Sequence, residues 1–486
     1  MEAISAQLDS QQPPAPESRP GLVRGMSLAD SALLIIGGTI GSAIFLTPSD
    51  IATALPAPLL FMLVWVAGGA VSLMAAFAFG ELGAMFPEAG GQYVYLREAY
   101  GDFAAFLYGW MMFVAGSSGG VAAIAVAFAE YFGRVVTPLA ADKVIVATPG
   151  IALRGWRLSG ATWHLTRGDV VAVAAILLLT VVNIRGLRPG VILQNVATWV
   201  KYVALAAFIV FGLTLGKGSW GHFSGAGVRE SFSHGVYPFA TALGVAFIAV
   251  FWCYEGWVYI AWTAGEVRNP ERNIPRSLVI GLVAVILVYL TVNAVYLYAL
   301  PVSGIAQQPA VAQAAAEVLF SPAVAFWLSA LIAISCFGAT SSNVLAGARV
   351  SYAMGRDGLF FRRMGDVHPR FRSPAFALIA QAVWASLIAL SGTYDQLFTY
   401  TVFAMILSYV ACVAALFVFR RKRPGLPRPY RCFGYPWLPI AYEILIGGWV
   451  VNTVIHRPRE TLANLGLLAL GVPFYLYWHR RAPATH

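Results

Sequence analysis

Two interruptions in otherwise apolar stretches hold the residues best placed to do chemistry. Residues 247–276 read FIAVFWCYEGWVYIAWTAGEVRNPERNIPR, a wall of apolar and aromatic side chains broken midway by Glu255 and Gly256. An acid at membrane depth costs a few kcal/mol, so its presence there points to function. Glycine beside it lets the backbone leave helical angles. Glu255 itself has two readings: a cap on the amides of the following half-helix, or a titrating, ligand-sensing carboxylate. A matching interruption, Gly37-Gly38-Thr39-Ile40-Gly41-Ser42-Ala43, divides the apolar run 29–54. Paired breaks of this kind build ligand sites at the bilayer midplane.

The chemistry expected there is electrostatic and belongs to the backbone. Where the first run restarts, the free N–H groups of Ser42, Ala43 and Ile44 present the positive end of a half-helix, which suits a carboxylate. Where the first halves end, near Thr39-Ile40 and Trp252-Cys253, unpaired carbonyls present the negative end, which suits an ammonium group. The two together describe an α-amino acid. Lys201, in VATWVKYVALAAF, lies about ten residues into its run, hence roughly 15 Å deep. From that depth it must face protein or cavity.

These residues are positioned by an all-α chain. It has 486 residues, 59% hydrophobic and 11% charged, with mean hydropathy +0.71; a soluble chain is normally about 25% charged. The apolar runs give twelve spans, near 29–54, 58–84, 103–133, 169–186, 192–216, 238–264, 276–300, 322–352, 374–391, 394–420, 434–455 and 460–479. Residues 85–102 read as a loop, and 134–168 as a long polar loop. The net charge of +10 would point to nucleic acid in a soluble domain. Here the basic residues gather in short loops on one side, which sets both termini in the cytoplasm and excludes a nucleic-acid partner. Spans 1–5 and 6–10 each open on a broken run, and an odd number per half inverts the second half. The division is a disordered tail 1–24, a first repeat 25–217, a second repeat 237–423, two appended spans at 432–479, and a tail 480–486.

Cys253, Cys336, Cys412 and Cys432 form no metal-ligand spacing or disulfide framework. The sequence also holds no phosphate-binding loop and no nucleophile elbow, so neither a cofactor nor an enzyme is expected. Glu81 and Glu130 read as interfacial or structural, Asn293 and Asn343 as hydrogen bonders between helices, and Gly116-Ser117-Ser118-Gly119-Gly120 as a close-packing face.

Several motifs carry a resemblance. Thr39-Ile40-Gly41-Ser42-Ala43-Ile44-Phe45 is similar to the glycine-serine-glycine-isoleucine-phenylalanine motif of the amino acid–polyamine–organocation superfamily. Tyr254-Glu255-Gly256-Trp257 resembles the corresponding motif of its L-type amino-acid transporter family. Asn269-Pro270, Asn273-Ile274-Pro275, Ile334-Ser335-Cys336-Phe337-Gly338, Gly355-Arg356-Asp357-Gly358 and His368-Pro369 also match. The resemblance covers residue 28 to about 479. It implies a leucine-transporter-like 5+5 inverted repeat in the cell (inner or plasma) membrane and sodium-independent exchange of amino acids. By motif, Gly41, Ser42 and Ala43 hold the carboxylate. Thr39, Trp252 and Glu255 offer carbonyls to the amine, with Ile40, Cys253 and Gly256 completing the breaks. Trp252 falls at a gating aromatic. Lys201 matches a lysine that replaces sodium, tying span 5 to the first break and to span 8 near Ser335 and Thr340. Eukaryotic members commonly join a glycoprotein through a cysteine between spans 3 and 4. Residues 134–168 hold no cysteine, so no disulfide-linked subunit is expected. Two departures stand out: Ala43 replaces a glycine, narrowing backbone approach, and Glu255 replaces aspartate or glycine. Two other functions fit parts of the pattern, namely proton-coupled uptake of cationic amino acids or polyamines, and an amino-acid-binding membrane sensor. A sensor should carry a signalling domain or long tail, which tails of about 24 and 7 residues do not supply.

Overall fold

The computed structural model describes residues 21–140, 142–148, 163–224, 236–392, 394–456 and 458–480. Nearly all of the tail expected at 1–24, most of that at 480–486 and the middle of the 134–168 loop lie outside the described residues.

The chain is almost wholly helical. In order the helices are α1 (Leu28–Thr39), α2 (Ala43–Leu46), α3 (Pro48–Ala54), α4 (Pro58–Met85), α5 (Gln92–Tyr100), α6 (Asp102–Met111) and α7 (Ser117–Val135). Then come α8 (Arg167–Ile184), α9 (Leu187–Thr214), α10 (Val236–Cys253), α11 (Tyr259–Trp262) and α12 (Pro270–Ala299). The series ends with α13 (Val302–Ala306), α14 (Val311–Leu319), α15 (Pro322–Arg356), α16 (Ala375–Ser391), α17 (Tyr394–Lys422), α18 (Trp437–His456) and α19 (Pro458–His479). Local chemistry sets the boundaries. Ser27 with Asp30 and Thr166 with Asp169 close capping boxes on α1 and α8, satisfying first-turn amides. Pro58, Pro270 and Pro322 stand at the first helical position, where no N–H is needed. Gly186, at φ +122°, turns α8 into α9.

Among the described residues, seven helices are long and apolar enough to cross a membrane, and four further apolar helices are shorter. Their outward faces stay apolar: Val196, Trp199, Val203, Val210 and Phe211 of α9 are all exposed. A face of that kind needs hydrocarbon rather than water against it. This is a multi-pass membrane protein.

Three expectations are corrected. The 85–102 stretch is not a plain loop, because Gln92–Tyr100 is helical between Gly91 and Gly101, both at positive φ. Tyr93, Val94, Tyr95 and Leu96 are buried there; contacts distant in sequence hold a helix too short for its periodicity to be seen. The fold is not purely α: Val144–Thr148 pairs antiparallel with Trp163–Thr166. The seventh span starts at Pro270 rather than 276, so Glu271 and Arg272 form its first turn.

The core is organised by two helices. α12 packs against α4 and α1, while α15 packs against α7, α9 and α1. α15 buries a polar run, Thr340, Ser341, Ser342 and Asn343. Next to that run, α6 passes into α7 through a π turn at Met112–Gly116, and Asn343 accepts from Ser117 Oγ (3.2 Å). Asn343 thus bonds between helices as expected. Asn293 does not: it donates to Tyr289 O of its own helix (2.8 Å).

Candidate substrate site

Both interruptions are present, and they meet. α1 ends at Thr39, Ile40 leaves helical geometry, and the chain resumes at Ala43 after a bend. Thr47 is itself helical, so α2 and α3 run on as one stretch. α10 ends at Cys253, and α11 begins only at Tyr259. Gly256, at φ +116°, lies against the first break: a Cβ there would stand 2.6 Å from the carbonyl carbon of Gly38. Only glycine meets both the angle and the approach.

Accessible surface at the breaks is confined to a few positions. Gly41, Ser42, Trp252 and Glu255 are partly exposed, while Thr39, Ile40, Ala43, Cys253, Tyr254 and Gly256 are buried. The amides of Ser42, Ala43 and Ile44 donate no hydrogen bond among the described residues, as expected of a restarted helix. The hydroxyl of Thr39 is buried and also without a partner.

The carbonyls are a different matter. They were expected to be unpaired, and the structure corrects this. The hydroxyl of Tyr289, on α12, lies 2.9 Å from Thr39 O and 2.8 Å from Cys253 O. Trp252 O accepts from the amide of Glu255 (3.1 Å). Ile40 O accepts from both Lys201 Nζ and Ser335 Oγ. Backbone polar groups in a dry interior rarely go unpaired, and a bundle interior supplies donors that a linear sequence does not reveal.

Lys201 sits where its depth implied. It is 1% exposed and roughly 20 Å along α9 from Leu187. Its ammonium group donates to Gly37 O (3.0 Å) and to Ile40 O. Ser335 of α15 reaches the same Ile40 carbonyl at 3.3 Å, so α1, α9 and α15 converge on one oxygen. Thr340 is not part of this junction; its hydroxyl returns to Cys336 O in its own helix (2.8 Å).

Glu255 is not a helix cap. Its carboxylate accepts from the hydroxyl of Tyr409 on α17, and α11 has no side-chain cap. The Tyr409 ring stacks on Trp257 at 5.5 Å, and Phe79 meets Trp257 edge-on at 4.9 Å. Glu81 and Glu130 are structural as read: Glu81 is buried and binds Arg420 (2.7 Å) and the Cys432 amide (2.6 Å), and Glu130 pairs with Arg134 (2.7 Å).

Tyr289 and Tyr409 were missed from sequence. Both lie in apolar runs where a tyrosine looks like one more aromatic. The available signal was their hydroxyls, each of which needs a partner when buried. Among the described residues no group of acids, histidines and cysteines could hold a metal ion.

Comparison with known proteins adds three kinds of relative. The family described as Amino acid permease matches residues 26–459. Serine/threonine exchanger SteT of Bacillus subtilis (strain 168) is 31% identical over 466 residues, covering 95% of this chain and 98% of the relative. The b(0,+)-type amino acid transporter 1 of Homo sapiens is 30% identical over 94% of this chain and 86% of its own. The Asc-type amino acid transporter 1 of Mus musculus is 26% identical over 96% of this chain and 84% of its own.

Proposed function

The chain belongs to the amino acid permease family, and from that premise we propose that it is a secondary transporter exchanging α-amino acids across the membrane by alternating access, without sodium. The observation that carries the reading is the contact of two helix breaks, one offering free amides at Ser42, Ala43 and Ile44 and the other an accessible Glu255. The names of the relatives, an exchanger among them, point the same way. In this reading Gly41, Ser42 and Ala43 take the carboxylate. The ammonium group meets the carbonyl side formed by Thr39, Trp252, Cys253 and Glu255, while Ile40 closes the first break with its carbonyl held by Lys201 and Ser335. Gly256 permits the approach, and Trp252 gates it. Twelve spans form two inverted five-helix repeats, 25–217 and 237–423, with 432–479 appended. Both termini are cytoplasmic, in the cell (inner or plasma) membrane. The chain catalyses no covalent step and needs no cofactor.

The test is counterflow of radiolabelled amino acids in proteoliposomes over a substrate panel. An α-amino acid should exchange saturably, while its decarboxylated amine and its α-keto acid compete poorly. Ser42→Pro removes one amide and distorts the bend, and should abolish binding in a protein that still inserts. A second reading, proton-coupled uptake of cationic amino acids or polyamines, is favoured by the carboxylate of Glu255 at the break. An amine competing as well as its parent amino acid would put that reading first.

A further inference from the structure

The first turns of α12 carry two arginines on one face. Arg272 and Arg276 are four residues apart, hence neighbours on the helix surface, and both are exposed. Among the described residues neither guanidinium has an ion-pair or hydrogen-bond partner. Like charges at that spacing repel, and an anion set between them relieves the repulsion.

The two arginines line a cavity of about 520 Å³ whose facing wall is Pro429 and Tyr430, in the segment after α17. That wall is held in place. Arg428 fixes the segment by donating to the carbonyls of Phe419 (3.2 Å) and Arg423 (3.0 Å). The Tyr430 ring lies so close to α4 that a Cβ on Gly80 would stand 3.0 Å from it. Glu271 borders the same cavity, one acid against two guanidiniums.

Beyond the arginines the face turns apolar. Val279 and Ile280 also line the cavity. Ile280, Val283 and Leu287, which are 50%, 40% and 59% exposed, continue the stripe at the spacing of one helix face. From Arg276 to Leu287 is roughly 16 Å along the axis, about one leaflet of hydrocarbon. Phe433 and Trp437, both exposed, follow the facing wall in sequence, and such aromatics mark a membrane–water boundary. A soluble anion would use only the arginines, whereas a phospholipid uses the charge and the stripe together.

We propose that the groove between α12 and Pro429-Tyr430 binds one anionic phospholipid. Its phosphate sits between Arg272 and Arg276, whose guanidiniums offer paired N–H donors to phosphate oxygens. An acyl chain lies along Ile280, Val283 and Leu287. The site is distinct from the helix breaks, and the proposal stands whether or not the chain is an exchanger.

The test is native mass spectrometry of the delipidated, detergent-purified full chain, titrated with dioleoyl phosphatidylglycerol or dioleoyl phosphatidylcholine. Wild type should bind its first phosphatidylglycerol at least about ten-fold more tightly than phosphatidylcholine, the scale of two basic residues at an anionic lipid surface. Arg272→Gln combined with Arg276→Gln should lose that preference. Arg421→Gln combined with Lys422→Gln removes the same charge from exposed positions at the end of α17, and should keep it. Equal binding of the two lipids by wild type would overturn the proposal, in an arm that needs no variant. So would a preference retained by the α12 variant, or one lost as fully by the α17 variant, which would make the effect one of net charge. Glycerol phosphate, the same anion without chains, should fail to displace the lipid at about a hundred-fold excess, because buried CH₂ groups supply most of such binding. Displacement would make the groove a site for soluble anions and overturn the lipid assignment.

Discussion

Among single residues, Lys201 poses the sharpest electrostatic problem. A buried ammonium group is costly unless something offsets its charge, and no carboxylate pairs with it among the described ion pairs. What it meets instead are carbonyls of Gly37 and Ile40 at the end of α1. That end carries the negative pole of the helix dipole. The lysine thus acts as a tethered cation, tying α9 to the first break, and Ser335 brings α15 to the same oxygen. We propose that it takes the place of a sodium ion. Replacing sodium by choline should leave uptake unchanged, and collapse of uptake would sink the idea. Lys201→Ala should lower turnover at least about ten-fold with less than a three-fold change in half-saturation, since one lost charge-assisted bond is worth about 1.5–3 kcal/mol. Unchanged turnover would reduce Lys201 to packing. The depth of this lysine was legible, because a charge in an apolar run is conspicuous. The pairing of Tyr289 with two carbonyls was not, since it depends on α12 approaching both breaks at once.

Among elements, α11 has a consequence out of proportion to its length. It has four residues, and the chain after it carries Glu266. Glu266 and Arg349 of α15 are each 1% exposed and pair through two bonds, at 2.8 and 2.9 Å. Arg349 also donates to Leu345 O. This pair ties the second half of the break to α15, one of the two helices that organise the core. Arg349→Ala leaves a bare buried carboxylate and should cost about 3–5 kcal/mol, read as a fall in the melting temperature of the detergent-purified protein. Adding Glu266→Gln to Arg349→Met should recover most of that loss. A single variant melting with wild type would show that water reaches the pair. The breaks themselves were legible from Gly41-Ser42 and Glu255-Gly256, types that apolar helices seldom hold. α5 and the β pair were not, because each is brief and is stabilised by contacts from elsewhere in the chain.

At the scale of the whole molecule, charge collects at one end of the bundle. Arg97 binds Asp357 and Glu88, and Glu98 binds Arg423, so two adjacent residues of α5 grip the residues that immediately follow α15 and α17. A cavity of about 270 Å³ beside them is lined by Arg24, Arg97, Arg356, Glu88 and Asp357. We propose that this end faces the cytoplasm. All four cysteines are buried and unpaired, and none falls within 134–168, so no disulfide-linked subunit should form. Non-reducing gels of membranes should show a single monomer band; a reducible heavier band lost on mutating one cysteine would contradict this. At the same end, the amides of Gly25 and Met26 both donate to Glu266 O, and Arg268 donates back to Met26 O, each at 2.9 Å. The chain entering α1 is thereby stitched to the chain leaving α11 by main-chain atoms alone. Side chains at 25, 26, 266 and 268 contribute nothing to those three bonds. The joint is therefore written in the path of the backbone: a substitution at 25 or 268 that keeps the main-chain N–H leaves all three bonds in place.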